Sequence, residues 1–183
     1  MGATPSSTSR AVSSTSMSST TKYPIVGPND IMSKKRHGSS NGPVQEELRW
    51  HVSRKKADNI CNFNRHFAEP SGSAFKNQKY LDEFKNAKAN GVTMKFYDSV
   101  TGVLLFEAPK SRSHDAFERE SRLHGWPSFR DDEVNWENVR CLKNGECVSL
   151  TGTHLGHNLP DRNGNRYCIN LVSIAGHPVE SKA

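Results

Sequence analysis

No Cys-x-x-Cys pair occurs in this chain, and its four cysteines (Cys61, Cys141, Cys147 and Cys168) are scattered. With no secretory hydrophobic region at its start, such spacing speaks for a reducing, intracellular compartment and against a disulfide framework. No apolar run approaches the roughly 18 residues that a transmembrane helix needs. Core-forming residues are few, at 33% hydrophobic with a mean hydropathy of -0.75. They are scarcest in residues 1–42, where Ser/Thr runs dominate. Acid is scarce there too. Arg10, Lys22, Lys34, Lys35 and Arg36 stand against Asp30 alone and account for four of the six net positive charges. The rest of the chain is near balance, so its basic character is no argument for nucleic acid.

Residues 1–42 therefore read as a disordered tail or a targeting segment. As a transit peptide it would send the chain to a plastid or mitochondrion; otherwise the cytoplasm is expected. Its first six residues also meet the loose myristoylation pattern, which a Ser-rich start meets by chance. A single domain is expected over residues 43–178, long enough to bury one core. Pro43 opens a helical spacing of Val44, Leu48 and Val52. A second helix is expected over 76–90, with Tyr80, Leu81, Phe84 and Ala87 on one side and Gly91 as its stop. The period then falls to two at Val92, Met94 and Phe96, and Ser99 to Gly102 turns the chain into Val103 to Phe106. A short helix follows at 114–122. Asn144-Gly145 marks a hairpin between 139–142 and 147–150, and a last strand covers 166–174. Helices followed by hairpins give an α+β fold with an antiparallel β core.

The richest run is 154–170, with His154, His157, Asp161, Arg166 and Cys168 divided by an Asn163-Gly164 turn. Strand alternation places Arg166, Cys168 and Asn170 on one face and Tyr167, Ile169 and Leu171 on the other. A thiol flanked by a guanidinium and an amide, with imidazoles brought in by a preceding loop, can be stabilised as a thiolate nucleophile. The same His154, His157, Asp161 and Cys168 are also metal-ligand types, although His-x-x-His is a weak pattern. Trp126 alone would be a core residue, and Trp50 and Trp136, with no partner motif, are expected in core or surface packing. Asp131-Asp132-Glu133 reads as a solvated face or a helix start.

Gly125-Trp126-Pro127-Ser128-Phe129, His154-Leu155-Gly156-His157, Asp161 and Arg166-Tyr167-Cys168-Ile169-Asn170 together resemble the methionine-R-sulfoxide reductase B family, and Leu105-Phe106 is similar to an upstream element of it. The resemblance covers residues 92–176 and does not extend to 43–90. It implies a twisted antiparallel β fold, preceded here by the N-terminal helices. It also implies thiol-dependent reduction of the R epimer of methionine sulfoxide, free or peptide-bound, by a monomer using thioredoxin or another thiol. Cys168 would be the nucleophile. Arg166, His157 and Asp161 would activate it, with His154 and Asn170 at further active-site positions and Trp126 against the substrate methyl group. The alternative is a non-catalytic module that binds oxidised methionine or a protein partner.

Two departures from the family stand out. Its structural zinc is commonly held by two Cys-x-x-Cys pairs, at positions that read Asp98 and Thr101, then Val148 and Thr151 here. No zinc and no other cofactor is therefore expected. His124 stands where many members carry a recycling cysteine. Either a reductant attacks the Cys168 sulfenic acid directly or another thiol of the chain does that work, and Cys61, in a segment rich in loop-forming residues, is favoured over Cys147.

Overall fold

The computed structural model describes residues 2–3 and 20–180. The Ser/Thr runs behind the transit-peptide reading lie outside the described residues. Among the described residues three α-helices, α1 (Arg54–Asp58), α2 (Gln78–Asn90) and α3 (His114–His124), each start at a side-chain cap: Ser53, Asn77 and Ser113 accept from the backbone N–H three residues on. Gly91 and Gly125 end α2 and α3 in the left-handed conformation. Tyr80, Phe84 and Ala87 are the buried face of α2, as their spacing predicts.

The strands form two antiparallel sheets. β1 (Met94–Tyr97) pairs with β2 (Leu104–Ala108) as the expected hairpin. β3 (Ser128–Phe129), β4 (Val139–Cys141), β5 (Glu146–Ser149), β6 (His154–Asn158) and β7 (Tyr167–Ile169) make the second sheet, in the order β3-β7-β6-β5-β4. The α+β class with antiparallel sheets is thus present. Phe129 on β3 stacks on Phe106 at 4.3 Å between ring centroids and meets Phe96 edge-on at 5.2 Å. One aromatic cluster so joins the two sheets.

The structure differs from the expectations in four places. No helix starts at Pro43. Val44 and Leu48 are buried, but Trp50 and His51 take positive φ (57° and 52°) in a short 3-10 turn, a conformation that no continuous α-helix accommodates. The turn sends the Trp50 indole into the core, edge-on to Tyr80 at 5.3 Å, with Nε1 donating to Glu83. The last strand stops at Ile169, because Asn170 spends both its N–H and its side-chain amide on the Leu155 carbonyl and a 3-10 turn follows at Leu171–Ser173. His154 and His157 stand on a strand rather than in a loop.

Fourth, packing begins well before Pro43. Val26 bridges to Cys141 on the β4 edge, Met32 packs with Leu142 and Val148, and Ser39 and Ser40 are buried against the Asn62 segment. The sequence hides this because the buried groups are largely polar and backbone. Among the described residues no helix is long and apolar enough to cross a membrane.

The Asp98 turn and the 148–153 segment, where the resembled family has its zinc ligands, are joined by hydrogen bonds. The fully buried Asp98 carboxylate accepts from Thr153 Oγ1 at 2.9 and 3.0 Å and from the Val100 N–H at 2.8 Å. Ser149 Oγ lies 3.0 Å from both Thr151 Oγ1 and the Thr153 N–H. Val148 and Thr151 offer no ligand for a soft cation and Asp98 is already satisfied, so this donor set does not fit zinc.

Candidate active site

The site is built by register. β6 lies beside β7 with His157 opposite Cys168 and Gly156 opposite Ile169. On its other edge, Cys147 faces Gly156 while Val148 faces His154, which leaves Leu155 as an extra, bulged residue. Three residues apart on a regular strand, His154 and His157 would point to opposite faces. The bulge restores them to the same face and sends Leu155 into the core. Gly156 is required by strand approach, since a Cβ there would sit 2.0 Å from the Cys168 carbonyl oxygen.

His154, His157, Cys168, Asn170 and Trp126 line one cavity of about 120 Å³, with His66, Phe67, Ala68 and Leu159 at its rim. Arg166 Nη1 donates to Cys168 Sγ at 2.6 Å, as the shared strand face predicts. Ser128 Oγ, cross-strand from Cys168, lies 3.6 Å from the same sulfur. Trp126 Nε1 donates to the Glu69 carbonyl at 2.9 Å, and Asn170 Oδ1 accepts from the Glu69 N–H at 2.9 Å. Residue 69 is therefore clamped from both sides, and segment 65–69 forms a third wall. Asn170 spends its amide on backbone, so its part in the site is to hold this wall.

Asp161 does not line the cavity. It lies 3.5 Å from Arg166 Nε and 3.0 Å from Arg130 Nη2, and its bond to Arg130 holds its carboxyl down at about 2. Arg130 also binds Glu120, Glu120 binds Arg112, and Arg112 reaches the buried Glu133 at 2.6 Å. A train of alternating charges thus ends beside the guanidinium that contacts Cys168, although Arg166 Nε makes no hydrogen bond to Asp161. Burial, and then the neighbouring imidazoles of His154 and His66, push His157 below the ordinary histidine range.

Neither thiol expected to recycle Cys168 lines the cavity. Cys61 is fully buried in a helical turn, Asn59–Phe63, with Sγ 3.6 Å from Ser173 Oγ. It is not in a loop, and burial pushes its thiol up. Cys147 points to the opposite face of the sheet, 3.2 Å from the sulfur of Cys141, and burial raises it as well. The His154, His157, Asp161 and Cys168 set does not converge as metal ligands; the grouping that does among the described residues is Glu120, His124 and Asp161, which contains no thiol and whose two carboxylates Arg130 already binds.

Sequence reasoning missed Arg65, Glu69, Arg130 and Glu146, whose partners are distant in the chain. Alternation on the 146–149 strand was the only signal available, since it puts Glu146 on the face of His157 and Cys168. No family model, no curated protein and no solved structure matches the chain.

Proposed function

We propose that this protein is a peptide-methionine (R)-S-oxide reductase with Cys168 as its nucleophile, and that its antiparallel core is of the methionine-R-sulfoxide reductase B type. The observation that carries this reading is the Arg166–Cys168 contact beneath two imidazoles and an indole in one small cavity. A guanidinium against the sulfur favours negative charge on it. The thiolate attacks the sulfoxide sulfur, a proton goes to the departing oxygen, and the products are a thioether and the Cys168 sulfenic acid. Trp126 supplies an apolar wall for the S-methyl group. With Cys61 and Cys147 outside the cavity, an external thiol such as that of a thioredoxin attacks the sulfenic acid and releases water. A second thiol then resolves the mixed disulfide.

Epimer-resolved turnover with dithiothreitol tests this. Conversion of the R epimer by the wild type, lost in Cys168→Ser, is expected. Binding of the oxidised peptide without turnover would instead identify a recognition module.

A further inference from the structure

Glu146 is a carboxylate at 2% exposure in the middle of a sheet, and buried charge of this kind is costly unless fully paired. It is fully paired. Arg65 meets it in a fork, Nε to Oε1 at 2.8 Å and Nη2 to Oε2 at 2.6 Å. On its other side Oε1 lies 3.2 Å from Nδ1 of His154. These partners hold Glu146 ionised, with its carboxyl down at about 2. His154 is itself only 1% exposed, and its other ring nitrogen, Nε2, is buried with no hydrogen-bond partner among the described residues. A buried polar atom left open in this way calls for an explanation. The explanation offered by its surroundings is a ligand, because the ring lines the cavity shared with Cys168.

We propose that Glu146 and Arg65 are positioning residues that fix the tautomer and charge of His154, making its Nε2 the atom that hands a proton to the departing sulfoxide oxygen. This rests on the reductase reading given above. The carboxylate takes the Nδ1–H, so the ring presents only Nε2 to the cavity, free to carry a proton and release it. Arg65 forks onto the same carboxylate and offsets its charge. His157 makes no carboxylate hydrogen bond, and burial lowers its affinity for a proton, so less of it carries one to give at neutral pH. The groups around His154 are Glu146 on β5, His157 on β6, Cys168 on β7 with Arg166 just before that strand, and Arg65 and His66 on the third wall.

The two substitutions should act in opposite directions. Glu146→Gln removes the negative neighbour, and the His154 titration midpoint should fall by about one unit. Arg65→Met leaves that neighbour unopposed, and the midpoint should rise by a similar amount. Nitrogen-edited NMR of the imidazoles in the full chain reads both shifts. In the neutral wild type it should find the proton on Nδ1 of His154. In turnover, Glu146→Gln should lower kcat by about tenfold to a hundredfold with KM nearly unchanged, and the alkaline limb of the kcat profile should follow the midpoint. A merely structural role would lower thermal stability without opposite shifts. A neutral His154 protonated at Nε2, or a midpoint unmoved in whichever variant folds, overturns the proposal. Absence of reductase activity in the wild type overturns the reaction assignment and with it the proton's destination; the tautomer and the opposed shifts would still decide the Glu146–His154–Arg65 coupling.

Discussion

Strands β5, β6 and β7 carry two different chemistries on their two faces. One face holds Glu146, His157 and Cys168 in a single cross-strand row. The other holds Cys147, Gly156 and Ile169, with Cys141 next in line. Both faces are thiol-bearing, yet only one places its sulfur against a guanidinium and a cavity. On the other, Cys141 and Cys147 sit in the apolar core with the phenylalanines and behave as small hydrophobes. A cysteine's role is therefore set by which side of the pleat it occupies and by what shares that side.

The largest break in this comparison should come from Gly156→Ala. Its new methyl group would meet the Cys168 carbonyl and push β6 from β7, so loss of both folding cooperativity and activity is expected, read by thermal unfolding and turnover. Next comes the contrast of thiols. Cys168→Ser should abolish turnover with little change in stability. Cys147→Ser should leave the chemistry in place and destabilise the fold by about 1–3 kcal/mol, because it buries a hydroxyl among apolar side chains; denaturant titration measures that cost. Asp98→Ala, remote from the cavity, should cost about 1–3 kcal/mol by stranding the Thr153 hydroxyl and the Val100 N–H, again with turnover preserved in the folded protein. The narrowest effect, confined to low pH, should be on acid stability. Glu146 has its folded carboxyl at about 2 against an ordinary 4.5, so its contribution is complete above about pH 4.5 and lost as pH falls toward 2. Glu146→Gln should flatten that limb of the stability profile.

The elements governed by local rules were legible in the sequence. The α2 spacing with its Gly91 stop, the hairpin around the Ser99 to Gly102 turn and the Arg166/Cys168 face all stand where the pattern of residues puts them. The Leu155 bulge was not legible, because it exists only relative to β5. The turn at Trp50 and His51 defeated a helical spacing, since Val44 and Leu48 reach the core from extended chain just as well. Arg65 and Glu146 were invisible as partners, lying on segments that nothing in the sequence connects. Residues 20–42 were misread because hydropathy does not register the polar burial of Ser39, Ser40 and Asn62.

The central claim, that the sulfoxide oxygen passes to Cys168 and to no other thiol, is tested most directly by trapping. The full chain would be given stoichiometric methionine-R-sulfoxide peptide without reductant, together with a sulfenic-acid-specific nucleophile, and all four cysteines mapped by mass spectrometry. The account predicts one adduct, on Cys168, with Cys61, Cys141 and Cys147 recovered as free thiols. An adduct on another cysteine, or conversion of the substrate with Cys168 left unmodified, would contradict it.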